Sequence, residues 1–287
     1  MTAPRTLLLL AGLTALGAAS VRAQDFDRSK VPAAQATPKM PSPDVHRRSL
    51  PNGLELWVVE RHDLPIVNAV LTVRVGAAND GADAGLAAVT AGLLDEGSTR
   101  RSGPDFARAV EGLGIQLNAG AGIERTTVSL QTLTTTADSA FALLGELVAQ
   151  PTFDSVEFDR DRQIRLNALR ARRDQPTVVA TRVFNAVVYG ENAPYGHPAD
   201  GTAASLSSMS RADVTGFYRT YYRPGNAVLV VVGDVTPDRA TALATAALGG
   251  WEGKTAASDP TPIAPAALAA TVYLVDKPKA AQSEIRI

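Results

Sequence analysis

Apolar residues recur along this chain with two periods, one of two residues and one of about 3.6 residues. At 125–133, Val128 and Leu130 stand between polar residues, a pattern typical of a half-buried strand. Strands are predicted in this way over 54–60, 66–75, 114–120, 125–133 and 226–233. Apolar stripes of helical period predict helices over 84–95, 102–113, 137–149, 155–173, 176–189 and 210–222, with another beginning at 236. Since hairpin signals come early and helical runs later, we expect an α+β fold, an antiparallel sheet with helices packed on one face.

The ends of the chain differ in character from its middle. Arg5, a short apolar run at 7–16 and small residues before Gln24 predict a signal peptide over 1–23. The run is too short for a membrane anchor, so we expect an exported protein without a stable span after cleavage. The sequence then predicts an extended leader over 24–46, a first domain over 47–250, a Pro- and Ala-rich linker over 251–269 and strands at 271–275 and 283–287. We interpret 270–287 as the start of a truncated second domain.

Composition excludes several classes of function. The chain has 287 residues, no cysteine and a formal net charge of -1. Disulfides, thiolate catalysis and cysteine metal sites are therefore excluded, and no basic field indicates nucleic acid. The arginine-rich helix at 159–173 could present a face to an acidic partner or nucleic acid, but its interleaved aspartates and the overall charge favour a solvated helix.

Three stretches in a fixed order carry a family resemblance. The first runs from Leu-Pro-Asn-Gly-Leu at 50–54 to Glu-Gly-Ser at 96–98, and the second is Tyr-Gly-His-Pro at 195–198 followed by Gly-Thr. The third runs from Phe-Tyr-Arg-Thr-Tyr-Tyr at 217–222 to Val-Val-Val-Gly-Asp-Val at 230–235. Together they resemble the pitrilysin/insulinase family of zinc peptidases over roughly residues 47–287, and its bacterial processing-peptidase-like branch in particular. The resemblance implies a half-clamp domain.

The resemblance also locates the family's zinc motif, and this chain departs from it. The His-x-x-Glu-His positions fall on Ala88, Ala91 and Gly92, and the third ligand position falls on Ala168. Catalytic zinc needs three protein ligands and a carboxylate that accepts a proton from bound water, and none of these side chains can serve. The resemblance therefore implies a chain without its own zinc or peptidase activity. It also predicts that His at 88 and 92 and Glu at 91 and 168 would restore metal binding, with the change at Gly92 well tolerated.

The three histidines do not replace the missing ligands in the sequence. His46, His62 and His197 lie far apart, and no pair has ligand spacing. We expect His46 to lie in the leader without a role, His62 to be a solvated loop residue, and His197 to make a structural hydrogen bond, with partner contact as the alternative.

A second feature of the family needs no catalytic side chain. In active relatives the strand that matches Leu117, Asn118, Ala119 and Gly120 is an edge that pairs with an extended peptide. Because such pairing uses main-chain groups, this strand could still hold a peptide. The alternative is a plain sheet edge.

Three functions follow from these patterns. The favoured one is a non-catalytic subunit of a periplasmic, heterodimeric zinc peptidase, in which a catalytically intact pitrilysin-type partner carries the zinc ion and peptides are the substrates. The second is a structural or scaffold subunit of a cell-envelope complex. The third, an active peptidase with unorthodox ligands, conflicts with the ligand requirement.

Overall fold

The computed structural model describes residues 42–191, 193–253, 271–276, 278 and 282–287. The chain divides into two units, Met1–Ser42 and Pro43–Ile287, and all described residues except Ser42 belong to the second. The predicted signal peptide lies outside the described residues, as do most of the leader and most of the linker. Among the described residues, we find no helix with the length and apolar character needed to cross a membrane.

Six strands and eight α-helices form the described part of the chain. The strands are β1 (His46–Ser49), β2 (Glu55–Glu60), β3 (Ile66–Val73), β4 (Gln116–Ala121), β5 (Thr126–Leu133) and β6 (Ala227–Gly233). The helices are α1 (Leu86–Gly92), α2 (Gly103–Leu113), α3 (Ala137–Ala149), α4 (Ser155–Arg172), α5 (Pro176–Tyr189), α6 (Ala203–Ser208), α7 (Arg211–Tyr221) and α8 (Pro237–Leu248).

The strands form one sheet in the order β1-β2-β6-β3-β5-β4. Four of its strand pairs are antiparallel, and β2 lies parallel to β6, with Trp57 beside Val230. The α+β fold is therefore confirmed, while the sheet includes one parallel pair that the expected antiparallel sheet lacks. The period of a strand fixes which face is buried, but it does not fix the direction of a neighbour that comes much later in the chain.

One face of the sheet carries the core. Along β3 and β6, fully buried residues alternate with partly exposed ones, so every second side chain points to the helices. Helices α3 and α8 pack closely over this face, and a Cβ placed on Gly145 would overlap the carbonyl oxygen of Ala247. The large, fully buried side chains Phe141, Leu71 and Leu229 belong to the same core. The prediction of helices packed on one face is thus consistent with the burial pattern of the strands.

The boundaries of several elements differ from the sequence prediction. Residue His46 opens β1 and pairs with Val58, so it does not belong to an extended leader. The short helix α6 was not predicted, and the helix expected over 84–95 is limited to α1. No strand is formed by the described residues within 271–275 and 283–287, where Val272 and Leu274 are exposed. A strand needs a paired neighbour, and none lies beside these segments in the described part of the chain.

Candidate functional site: a helix without metal ligands beside a free sheet edge

A buried carboxylate fixes the start of α1. The side chain of Asp80 accepts hydrogen bonds from the backbone N–H of Gly85 and of Ala87, both at 2.7 Å. Only 4% of this residue is exposed, and burial raises the pKa of Asp80 to about 7, although the two N–H donors act in the opposite direction. Asp80 is not recognisable as a helix cap from the sequence, because it stands six residues before Leu86, the first residue of α1, outside the usual capping position.

The start of α1 is also packed against the loop before α6. Gly85 has a φ of 93°, and a Cβ at this position would lie 2.8 Å from the Cα of Gly201. The hydroxyl of Ser205 donates to the carbonyl oxygen of Ala84 at 2.7 Å. Only glycine combines this left-handed conformation with such close backbone contact. Two of the stretches that carry the family resemblance therefore meet at this point.

The four positions of the degenerate motif do not share one environment. Ala88 and Gly92 are partly exposed on the same side of α1, one turn apart, and Ala168 is partly exposed on α4. Ala91, in contrast, is fully buried. A carboxylate introduced at Ala91 would have to enter the packed interior, so the general-base position is closed in the present structure.

The guanidinium of Arg165 occupies the space beside Ala88 and Gly92. Its Nη2 donates to the carbonyl oxygen of Ala88 at 3.0 Å, and its Nε donates to Oδ2 of Asp161 at 2.5 Å. A Cβ on Gly92 would overlap this Nη2, so a larger residue at this position requires the end of the Arg165 side chain to move. The expected tolerance of substitution at Gly92 stays a prediction. Arg165 lies three residues before Ala168, on the same side of α4. From the sequence, Arg165 is expected to be only one of several solvated arginines on this helix.

These residues do not fit a zinc ion. The side chains at the ligand positions are hydrocarbon or absent, and a positively charged group fills the space between the two helices. Within the described residues, no group of three His, Asp or Glu side chains is arranged to hold a metal. The chemistry available here is hydrogen-bond donation from a fixed cation.

The histidines lie elsewhere. His62 contacts Oδ1 of Asp234 through Nδ1 at 2.7 Å and Oε2 of Glu60 through Nε2 at 3.1 Å, and hydrogen bonds to Asp234 and then Glu60 raise the pKa of His62. It is exposed as predicted, but it also joins the ends of β2 and β6. His46 lies 3.9 Å from Oε1 of the same Glu60.

The predicted hydrogen bond of His197 is wrong. Both ring nitrogens of His197 are buried, and neither has a hydrogen-bond partner among the described residues. The loop around it bonds to itself instead: the N–H of Gly196 donates to Ala193, and the N–H of Gly201 donates to Pro198.

Strand β4 forms an edge of the sheet and packs against α1. The pairing of β4 with β5 continues into the turn, where the N–H of Gly122 donates to the carbonyl oxygen of Arg125 at 2.7 Å. Because hydrogen-bonded and non-hydrogen-bonded pairs alternate in an antiparallel ladder, the peptide groups of Leu117 and Ala119 point away from β5. In the described part of the chain, no backbone group bonds to them. Their side chains face inward, whereas Asn118 and Gly120 are exposed.

Two clefts lie away from these helix positions. One, of about 570 Å³, is enclosed by the loop from Glu96 to Asp105 and the start of α4. The other, of about 490 Å³, lies between the β4–β5 turn and Tyr195, whose hydroxyl donates to Glu124 at 2.9 Å. Neither cleft is lined by Arg165, Ala88 or Gly92. Arg165 and β4 both contact α1, Arg165 through the carbonyl oxygen of Ala88.

The comparisons with known proteins agree with this architecture. The model of the insulinase family, peptidase family M16, matches residues 57–196, and that of the peptidase M16 inactive domain matches 208–287. An uncharacterized zinc protease of Mycobacterium leprae is 33% identical over 208 residues, which is 70% of this chain and 45% of the relative. The human mitochondrial cytochrome b-c1 complex subunit 1 is 26% identical over 158 residues, 55% of this chain and 33% of the relative.

A solved structure extends the comparison to three dimensions. The crystal structure of a peptidase M16 inactive domain from Pseudomonas fluorescens has a TM-score of 0.73 and 28% sequence identity, and the match covers 77% of this chain and 54% of that one. The chain thus spans about half the length, or less, of the curated relatives it matches.

Proposed function

This chain belongs to the insulinase family of peptidases, family M16, and we propose that it is a non-catalytic, peptide-binding subunit of a heterodimeric zinc peptidase. In this proposal a catalytically intact relative holds the zinc ion and cuts the peptide, in the periplasm. The present chain holds part of the extended substrate and completes the chamber around it.

The observation that carries the proposal is the free edge of β4, which lies beside a helix, α1, that has no metal ligand at positions 88 and 92. The peptide groups of Leu117 and Ala119 are available to an added strand, and main-chain pairing of this kind requires no catalytic side chain. Strand β4 packs against α1, where Ala88 and Gly92 supply no ligand atom. Peptide binding and peptide cleavage can therefore be separated in this chain.

The association with a partner is tested with purified proteins. The full-length protein is mixed with an M16 relative from the same organism that contains an intact His-x-x-Glu-His motif, and the mass of the mixture is measured together with turnover of a quenched fluorogenic peptide. We expect a complex that buries more than about 1,000 Å², the usual lower bound for a specific interface, and turnover above that of the partner alone. A partner that is equally active alone, with no complex at micromolar concentration, would refute the proposal.

The edge strand is tested with a matched pair of variants. Ala119→Pro removes an N–H that points to the free edge and leaves the bonds of β4 to β5 in place, since proline is tolerated on the open side of an edge strand. Asn118→Ala removes only an exposed side chain and serves as the control. We expect Ala119→Pro to lose peptide stimulation while the complex still forms, and Asn118→Ala to behave as the wild type. Equal stimulation by both variants would show that β4 does not hold the peptide.

A scaffold role is the second candidate. It is favoured by the similarity to the human mitochondrial cytochrome b-c1 complex subunit 1, whose name places it in a complex and mentions no peptidase. A scaffold subunit would form a stable complex that is indifferent to Ala119→Pro and does not change peptide turnover. The same two measurements therefore separate the two functions.

A further inference from the structure

The guanidinium of Arg165 is held in a defined place by the chain itself. Asp161, one turn earlier on α4, accepts from its Nε at 2.5 Å, and the carbonyl oxygen of Ala88 accepts from its Nη2 at 3.0 Å. These contacts tie α4 to α1 and fix the plane of the group. A cation fixed in this way is preorganised, so a ligand that meets it does not have to order it.

Gly92 makes room for this arrangement. A Cβ at position 92 would overlap Nη2 of Arg165, so any other residue would displace the guanidinium from its contact with Ala88. Glycine in a helix interior costs about 1 kcal/mol relative to alanine. The sequence thus carries a helix-weakening residue at the one turn of α1 where the guanidinium rests.

Most of the donors of Arg165 remain available. A guanidinium has five N–H groups, and the two hydrogen bonds described above use one at Nε and one at Nη2. Within the described residues, Nη1 makes no hydrogen bond, and 23% of the side chain is exposed. The group can therefore donate to an acceptor that approaches from the open side of α1.

The surrounding charges favour a neutral acceptor. Asp161 pairs with Arg165, while Glu96 and Glu157 share Arg160 at 2.6 Å each. Three carboxylates thus surround two guanidinium groups, and the site has no surplus positive charge to attract an anion. A carbonyl oxygen accepts from a guanidinium without bringing a further negative charge.

We propose that Arg165 is a peptide-binding residue that donates hydrogen bonds to a main-chain carbonyl oxygen of a peptide lying along the free edge of β4. The guanidinium lies beside Ala88 and Gly92, the positions that the resemblance assigns to two zinc ligands, and it supplies a fixed positive group there. This inference rests on the proposed peptide-binding function and names the side chain that orients the peptide relative to α1.

The first test measures binding of a fluorescein-labelled ten-residue peptide, acetylated, amidated and free of acidic side chains, by fluorescence anisotropy with the full-length protein. We expect Arg165→Met to weaken binding roughly ten-fold or more, the usual worth of a hydrogen bond from a charged donor, and Arg165→Lys to restore part of it. Arg170→Met removes the same charge from the same helix, where the exposed Arg170 side chain donates to Asn167, and should bind as the wild type. Thermal unfolding of each variant confirms that it is folded.

The second test separates peptide contact from a structural role. Each carbonyl of the peptide is replaced in turn by a thiocarbonyl, whose sulfur is a weaker acceptor. We expect one position at which the wild type loses affinity and Arg165→Met does not, because the donor is already gone. Tight binding that is indifferent to Arg165→Met, or a thiocarbonyl effect that is the same in both proteins, overturns this inference and leaves the subunit proposal intact. Absence of peptide binding by the wild-type protein overturns both the inference and the peptide-binding part of the proposal, whereas the complex is judged separately by mass and turnover.

Discussion

Restoring zinc ligands to this chain should fail unless Arg165 is removed as well. The ligand positions call for Ala88→His, Gly92→His and Ala168→Glu. Ala91 is left unchanged because it is fully buried and because a general base is not needed for metal binding. In this triple variant the imidazole at 92 would occupy the space that the guanidinium now fills. We therefore expect weak or no zinc binding, contrary to the expectation from sequence that restoring the motif alone is sufficient.

The loss of zinc affinity that Arg165 causes can be worked out from charge and distance. Two unit charges about 4 Å apart interact by about 4 kcal/mol at an effective dielectric constant of 20, so a divalent ion is repelled by a guanidinium by about 8 kcal/mol. Asp161, at 2.5 Å from Nε of Arg165, offsets part of this repulsion. If half of this repulsion remains, the free energies of zinc binding by the triple variant with and without Arg165 differ by about 4 kcal/mol, which is roughly a thousand-fold in zinc affinity.

The assay is a competition titration of zinc against a chromophoric chelator, with elemental analysis of the purified proteins. The triple variant is compared with the same variant carrying Arg165→Ala, and with the same variant carrying Arg170→Ala as the charge control. Only the combination that lacks Arg165 should bind zinc tightly. Equal zinc affinity with and without Arg165 would refute the reasoning about the guanidinium. Folded proteins that bind no zinc in either background would show that Ala88, Gly92 and Ala168 do not converge.

Two further predictions concern the scaffold around the site. The pKa of Asp80 is raised from 3.8 to about 7, so the stabilisation by its protonated form is present in full below pH 3.8 and is lost as the pH rises through about 7. Denaturant unfolding of the wild type and of Asp80→Asn measures this loss. We expect the free energy of unfolding of the wild type, relative to that of the variant, to fall by up to about 4 kcal/mol over that pH range. Gly145→Ala should destabilise the protein by about 1–3 kcal/mol, because its Cβ would overlap the backbone of α8. The control is Gly216→Ala on α7, whose Cβ meets open space and which should be neutral or stabilising by up to about 1 kcal/mol in the same measurement.

The secondary structure was predictable where one period dominates a segment. The strict alternation around Val128 and Leu130 predicts β5 to within a residue. The helix predicted over 210–222 is α7, and a capping box of Ser210 and Asp213 begins it. The parallel contact of β2 with β6 was not predictable in this way. Hydrophobic period reports which face of a strand is buried, and the identity of its neighbour depends on the path of the whole chain.

The candidate site was predictable only in part, for a similar reason. Ala88 and Gly92 were identified because ligands on one helix keep a fixed spacing, which the sequence displays directly. The role of Arg165 arises from contact between two helices that are far apart in the sequence, and arginine on a charged helix is ordinarily solvated. One signal pointed to it: Gly92 is an unfavourable residue within a helix, and such a residue indicates that another group approaches closely.

The position of α1 does not depend on the side chains that a metal would need. Asp80 fixes its first turn, Gly85 fixes its contact with the loop at Gly201, and its inner face is packed in the core. None of these interactions requires a metal ligand at position 88 or 92, so the helix keeps its place beside β4 without one. The free edge depends only on backbone groups of β4 and is equally independent of the metal. A fold built in this way needs no metal ligand to keep β4 exposed as a sheet edge, which is the basis of the proposed peptide-binding function.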